Sequence, residues 1–431
     1  MRILLIGAGG VGDAISKVAA MRDFYEVIVL ADFDQSKCDA TIDWIARRHG
    51  TEVAAKFISE KIDASSTANV IDLARQYEIT HVVNAVEPRF LQPIFSGAFS
   101  AGCDYLDMAM SLSEPHPDDP FHKPGIKLGD GQFAVNEQWE RAGRLALVGA
   151  GVEPGLSNIF ARHAAQNLFS EITELGVRDG ANLVVKDEAG NELFAPSFSI
   201  WTTIEECLNP PVIYEEGKGW FTTAPFSEPE IFEFPEGIGA VECVNVEHEE
   251  VTMLPRTIKA NRVTFKYGLG GEFIGVLKTL NKLKLDRTSP VRVRSAQGPV
   301  DVSPRDLVAS VLPDPAKIGP MMTGKTCAGV LVTGKDMEGR DRATYLYHVV
   351  DNKDAMDEFD AQCVVVQTAY VPVCALELLA TGKWRGEGVL GPDSFDSQPF
   401  LDLFGSNEGY RQRWVSQERL PAAPLRDTSF A

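Results

Sequence analysis

The stretch that most constrains this chain is Met1–Asp32. Arg2-Ile3-Leu4-Leu5-Ile6 is apolar without alternation, as expected of a strand buried on both faces in a parallel sheet. Gly7, Gly9 and Gly12 follow in a G-x-G-x-x-G pattern enclosing Gly10 and Val11, and a helical stretch, Val11–Met21, comes next. A second strand, Glu26–Ala31, runs into Asp32, twenty positions after Gly12. The first glycine permits a tight turn and the second lets a pyrophosphate approach the backbone. The third lets the helix pack closely on its strand, with the helix N-terminus facing phosphate charge. Asp32 then stands where an acid accepts hydrogen bonds from ribose hydroxyls. In this strand–turn–helix context the pattern predicts a nicotinamide dinucleotide site on Gly7, Gly9, Gly10, Val11, Gly12 and Asp32. An acid at the end of the second strand repels a 2′-phosphate, so NAD is expected, with Lys37 near enough to keep NADP open.

Further β-α units continue the pattern. Lys61-Ile62-Asp63 closes a third strand, Ala68–Tyr77 has helical spacing, and Thr80–Val86 is a fourth strand leading into Glu87-Pro88. The helical stretch Pro93–Ala101 stops at Gly102, and Tyr105–Met108 is a fifth strand. Such repeats imply a doubly wound parallel sheet with ligands beyond the carboxyl ends of its strands. Asp63, Asn84 and Asp107 fall there. Asp63 is a candidate for the adenine edge, and Asn84, Ala85 and Val86 for the nicotinamide ribose; the plain alternative is that each simply begins a loop. Leu112–Gly131, with four prolines among acids and glycines, reads as a long loop. Helix Gln132–Arg144 and strand Leu145–Gly149 complete a dinucleotide-binding domain over 1–150.

Residues 151–363 have another texture. Strand candidates rich in Val, Phe and Thr (Leu175–Val177, Val212–Tyr214, Trp220–Thr223, Val241–Val246, Arg262–Tyr267) alternate with a few helices, notably Phe273–Leu283 and Arg305–Leu312. Thr326–Thr333 and Ala343–Val350 read as a hairpin. This predicts an α+β substrate domain on a mixed or antiparallel sheet, a face that also suits a homodimer. Residues 364–431 read as a helical segment returning to the first domain.

With 431 residues the chain exceeds a single core, and its net charge of −20 argues against nucleic acid and anionic membranes as partners. Seven scattered cysteines without a C-x-x-C, and seven dispersed histidines, indicate reduced thiols and no metal site. The chain opens directly in a strand and its apolar runs read as too short to span a membrane, so a cytoplasmic protein is expected.

GAGGVG at the N-terminus, VVNAVEP at Val82–Pro88, YLDMA at Tyr105–Ala109, GVEPGLSN at Gly151–Asn158, EEVTMLPR at Glu249–Arg256 and ALELLATGKW…GVLGP at Ala375–Pro392 together resemble the saccharopine dehydrogenase (saccharopine reductase) family nearly end to end. The G-x-[DE]-P-G element between the domains is the specific part. The resemblance implies an NAD(P)-dependent oxidoreductase acting on the CH–NH group of an amino-acid or opine-type substrate. Saccharopine dehydrogenase is the first expectation, and lysine 6-dehydrogenase or a carboxynorspermidine-type dehydrogenase the alternative. A dinucleotide-binding regulatory protein without turnover is the reading from another class. The chain departs from the family in its Leu112–Gly131 insertion and in Phe33, where NADP-using relatives tend to carry an arginine nearby.

Chemistry at a carbon–nitrogen bond needs a base near the nitrogen, and a carboxylated substrate needs cationic clamps. Glu153, at the mouth between the domains, is the first candidate for proton handling; its alternative is to cap the helix that follows. Asp107 is the second. Gly155 and Asn158, at that helix N-terminus, are candidates for a substrate carboxylate, and the resemblance places a carboxylate clamp at Arg256. Absent Arg and Lys around Glu153, a three-carboxylate substrate would be disfavoured. His163 and His248 read as hydrogen-bonded structural residues, Trp201 and Tyr267 as core aromatics with pocket lining as the alternative. Cys103 and Cys243 show no activating partner.

Overall fold

Seven short strands, all parallel, build the first sheet of this computed structural model, which describes residues 1–419. In chain order they are β1 (Arg2–Ile6), β2 (Val27–Asp32), β3 (Phe57–Lys61), β4 (His81–Asn84), β5 (Asp104–Asp107), β6 (Leu145–Leu147) and the late strand Gly388–Leu390. The spatial order is Gly388–Leu390, β6, β5, β4, β1, β2, β3. Chain direction across the sheet reverses between β1 and β4, so the crevice for a ligand opens at Ile6 and Asn84. Helix α1 (Gly10–Ala19) starts in the glycine turn.

The second sheet is mixed and has nine strands. Its spine is β7 (Phe169–Ala181), parallel to Arg262–Gly268 on one side and antiparallel to Lys325–Asp336 on the other. Lys325–Asp336 and Asp341–Asp351 form the expected hairpin, paired from Lys325–Asp351 to Lys335–Asp341. The architecture is therefore the anticipated one: a Rossmann-like parallel sheet joined to an α+β unit.

Three local features differ from the sequence reading. The stretch Gln132–Arg144 is two helices, Asp130–Phe133 and Asn136–Arg141. The break frees Asn136 to accept a hydrogen bond from the Val389 N–H (2.8 Å), which pins the seventh strand. The chain beyond 363 contains one long helix and two strands: Gly388–Leu390 extends the first sheet, whereas Trp414–Arg419 pairs with Asp341–Asp351 in the second. Residues 420–431 lie outside the described part. Finally, helix Cys363–Ala380, with 18 residues and mean hydropathy 1.8, is long and apolar enough on those criteria to cross a membrane, contrary to the expectation. Its side chains are instead largely buried against α1 and the second sheet, and an Arg22–Glu377 pair with two bonds of 2.6 and 2.8 Å anchors its far end. The proline-rich loop is tied down too: Glu114 pairs with Ile126 across it, and Ser113 Oγ donates to Glu247 at 2.8 Å.

Candidate active site

Between the two sheets lies a cleft of about 930 Å³. One end is the glycine turn. Gly7 has φ +105°, and a Cβ there would come within 2.6 Å of the Ala85 carbonyl oxygen; a Cβ on Gly12 would sit 1.8 Å from the Gly7 oxygen. Both positions thus exclude every side chain, through left-handed backbone in one case and helix–turn contact in the other. A Cβ on Gly9, by contrast, would meet nothing within 4 Å. That open cradle, with the first N–H groups of α1 beside it, fits a pyrophosphate. Ala8–Val11, Asn84–Pro88 and Met108 line this part, with Lys17, Lys37 and Arg47 from the helices next to it and Lys317 opposite.

The structure rearranges the roles expected of several residues. Asp32 stands behind the turn rather than among the lining residues: its Oδ2 accepts from Ala8 N (2.7 Å) and its Oδ1 from Asp34 N (2.9 Å), so it braces the glycine turn. Asp63 Oδ1 accepts from Ser65 N and Oγ, an arrangement that holds its pKa low. Asn84 lines the cleft, yet its amide is engaged within the fold, donating to Tyr105 Oη and accepting from Val86 N. Ala85 and Val86 pack against Gly7.

Asp107 is buried away from the cleft, its Oδ1 accepting from Gly149 N (2.7 Å) and its Oδ2 from Gln132 Nε2 (2.8 Å). Burial pushes it up to about 7 against those bonds. It fastens β5 to the chain crossing between domains. Asn158 caps its own helix by accepting from Gly155 N (2.9 Å) and donates to Asp393. Neither Gly155 nor Asn158 reaches the cleft. Arg256, expected as a carboxylate clamp, lies outside it as well. Its Nε donates to the Thr252 carbonyl (2.9 Å), and its guanidinium sits 4.0 Å from the Phe133 ring centroid.

The inner end of the cleft is acidic. Glu153, Asp179, Glu206, His248, Glu249 and Tyr267 line it, from five separate segments of the chain. Glu153 is not the helix cap. Its Oε1 accepts from Gly329 N (3.1 Å) on the central hairpin, and its buried Oε2 has no N–H or hydroxyl donor. The group facing it is the Asp179 carboxyl on β7, and two carboxyls within hydrogen-bonding reach are held together by a shared proton. Burial first, then Asp179 and Glu250, raise Glu153 well above the carboxylate range. Burial raises Asp179 to about 7, moderated by the bond that Glu153 donates to it. Glu153 is therefore the acid of the pair and Asp179 the group that ionises near neutrality.

His248 is stacked on Phe265 (3.8 Å between centroids) with its Nδ1 2.5 Å from Glu250 Oε2. Burial alone would lower its pKa, but Glu250, Glu249 and Glu206 overcome this and raise it to about 10. It is a buried cation. Ligand atoms of His248, Glu249 and Glu250 lie within 4.8 Å of one another, a spacing that suits a metal ion, but Nδ1 is committed to the charged pair with Glu250.

Two family models cover almost all of the chain: the saccharopine dehydrogenase NADP binding domain over residues 3–147 and the saccharopine dehydrogenase C-terminal domain over 151–410. The chain belongs to the saccharopine dehydrogenase family. As a member it is an NAD(P)-dependent oxidoreductase. Similar proteins include a carboxynorspermidine synthase of Vibrio alginolyticus, 28% identical over 99% of both chains. A carboxyaminopropylagmatine dehydrogenase of Synechocystis is 26% identical over 94% of this chain and 95% of its own. Among solved structures, the L-Glu-forming saccharopine dehydrogenase of Saccharomyces cerevisiae shares the fold, with TM-score 0.65 and 13% identity over 97% of this chain and 100% of that one.

Within this saccharopine dehydrogenase family site, sequence reasoning placed Glu153 at the cleft but missed Asp179 and Glu206. Nothing local marks either: Asp179 ends a buried run of β7, and Glu206 is one of two adjacent glutamates on helix Ile200–Leu208. Trp201 and Tyr267, read as core, both line the cleft, and so does His248.

Proposed function

We propose that this chain is a dehydrogenase acting at the secondary amine of a carboxylated polyamine, the carboxynorspermidine-type alternative rather than saccharopine itself. The observation that carries this is the sign of the inner cleft. Its lysines and arginines (Lys17, Lys37, Arg47, Lys317) all belong to the dinucleotide end, whereas Glu153, Asp179, Glu206 and Glu249 converge at the other with His248 already paired. Saccharopine carries three carboxylates and would bring like charge into that end; a polyamine brings ammonium groups, which four carboxyls favour. The full-length similarity to relatives named for carboxynorspermidine and carboxyaminopropylagmatine supports the same reading.

A bound nicotinamide supplies the hydride acceptor or donor at carbon. The residues of the chain handle the rest. Asp179 Oδ, ionising near neutrality, takes the proton of the substrate ammonium and leaves the nitrogen with a free pair. Glu153, protonated at the same pH, holds a proton for return to that nitrogen when the carbon–nitrogen bond is broken. In the opposite direction the two exchange tasks. His248 and Glu250 hold the local field constant through these transfers, because their pair is buried and fixed.

The test is an absorbance assay of NAD and NADP reduction with carboxynorspermidine, carboxyaminopropylagmatine, saccharopine and lysine. The carboxylated polyamines should exceed saccharopine in kcat/KM by about 100-fold, two like-charge contacts at about 1.4 kcal/mol each. A preference for saccharopine or lysine refutes the proposal.

A further inference from the structure

Helix Ile200–Leu208 presents Trp201, Thr202, Thr203 and Glu206 to the cleft, as the helical spacing dictates. Its two adjacent glutamates differ in circumstance. Glu205 points away from the cleft and is bound by Arg305 and by Asn209 Nδ2. Glu206 has no hydrogen-bond donor and no ion-pair partner among the described residues, although it lines the most acidic part of the cavity. The charged groups around it are His248 and Glu247, Glu249 and Glu250, and His248 is spent on Glu250. A second unpartnered oxygen, Glu153 Oε2, is fully buried in the same end of the cleft. Tyr267 stands among Asp179, Glu153 and Glu206, so the lone carboxyl and the proton-sharing pair flank one aromatic ring.

A buried carboxyl without a donor is costly unless a ligand supplies one. We infer that Glu206 is the counter-ion for the terminal ammonium of the polyamine arm, the specificity residue that separates a diamine-derived substrate from one with an apolar end. This rests on the function proposed above. Glu153 and Asp179 serve the reacting nitrogen, and Glu206, across Tyr267, binds the charge at the end of the arm. Empty, Glu206 retains a proton up to about 8 because burial and the neighbouring glutamates disfavour its charge. An arriving ammonium makes the charged form the stable one, so the site takes up the cation and gives off a proton.

Two measurements on the full chain with NAD(P) test this. The first compares carboxynorspermidine with an analogue bearing a methyl group where the terminal ammonium stands. Wild type should favour the ammonium substrate by about 100-fold in kcat/KM, as expected of a charge-assisted hydrogen bond to a buried carboxylate. In Glu206→Gln that ratio should fall to about threefold or less with KM for the dinucleotide unchanged, and Glu206→Asp should keep an intermediate ratio. The second needs no variant: calorimetry of propane-1,3-diamine binding near pH 7, in buffers of different ionisation heat, should show release of close to one proton. An unchanged ratio in Glu206→Gln, or binding without proton release, overturns the assignment of Glu206 while leaving the proposed function standing. A wild-type enzyme that oxidises neither substrate overturns both.

Discussion

Glu153→Gln keeps the volume of the side chain, its Oε1 acceptor for the Gly329 N–H, and a donor toward Asp179 in place of the shared proton. Only the transferable proton is lost. In a cleft where Asp179 ionises near 7 and Glu153 is the proton-loaded partner, that loss removes general acid–base catalysis, worth about 10²–10⁴ in kcat, or about 2.7–5.4 kcal/mol of activation free energy. Stability should behave in the opposite way. An amide–carboxylate bond replaces two buried carboxyls forced to share one proton, so Tm should stay within about 3 °C of wild type or rise. The pH profile separates the two partners. Wild-type kcat/KM for amine oxidation should rise with pH through about 7 as Asp179 becomes a base, and Glu153→Gln should retain that limb at its reduced level, whereas Asp179→Asn should lose it. Stopped-flow or steady-state nicotinamide absorbance, together with a thermal melt, measures all three quantities. A Glu153→Gln enzyme with kcat within about threefold of wild type refutes the role of Glu153, and a limb near 7 that survives Asp179→Asn refutes the assignment of the base.

Three further outcomes follow from the same geometry. Asp179, Glu206 and Glu247 hold protons up to about 7, 8 and 7 in the folded chain against about 4 when unfolded, so the native state binds more protons between those values; the stability they contribute is fully present below pH 4 and lost as pH rises through 7–8, and His248, raised to about 10, acts in the same direction. Tm should therefore fall from about pH 5.5 to 8.5 by calorimetry, and Glu206→Gln should make the fall shallower; a Tm that climbs over this range contradicts the raised carboxyls. Arg256→Met should leave KM for the amine substrate unchanged and cost about 1–2 kcal/mol in denaturant unfolding, the scale of its bond to Thr252 and its stacking on Phe133; a tenfold rise in KM would restore it as a clamp. Lys37, exposed at the dinucleotide end and without an ion-pair partner among the described residues, is the cation available to a 2′-phosphate. Lys37→Ala should weaken NADP binding by about tenfold in a fluorescence titration and leave NAD binding unaltered, and equal effects on both would rule out that contact.

The chain's local order determined a good part of this protein. β1, the glycine turn and α1 are adjacent in sequence, and apolar runs, turn residues and helix spacing act over a few positions, so the Rossmann-like unit, the mixed second unit and the Lys325–Asp351 hairpin were legible without coordinates. Even Asp32 and Asn84 were placed correctly at strand ends. Their tasks were not legible, because a strand end offers its side chain either to a ligand or to the neighbouring backbone, and Asp32 is committed to Ala8 N while Asn84 is committed to Tyr105 and Val86. Arg256 shows the same limit: its fate was decided by Thr252, Phe133 and Asp130, two of them from the first domain. The acidic end of the cleft belongs wholly to tertiary structure. Glu153 meets Asp179 because β7 runs beside Lys325–Asp336, and Glu206 meets His248 because a helix crosses the mouth of that sheet. A carboxyl's proton affinity depends on which charges and how much water lie within a few ångströms, and those neighbours come from segments far apart in the chain.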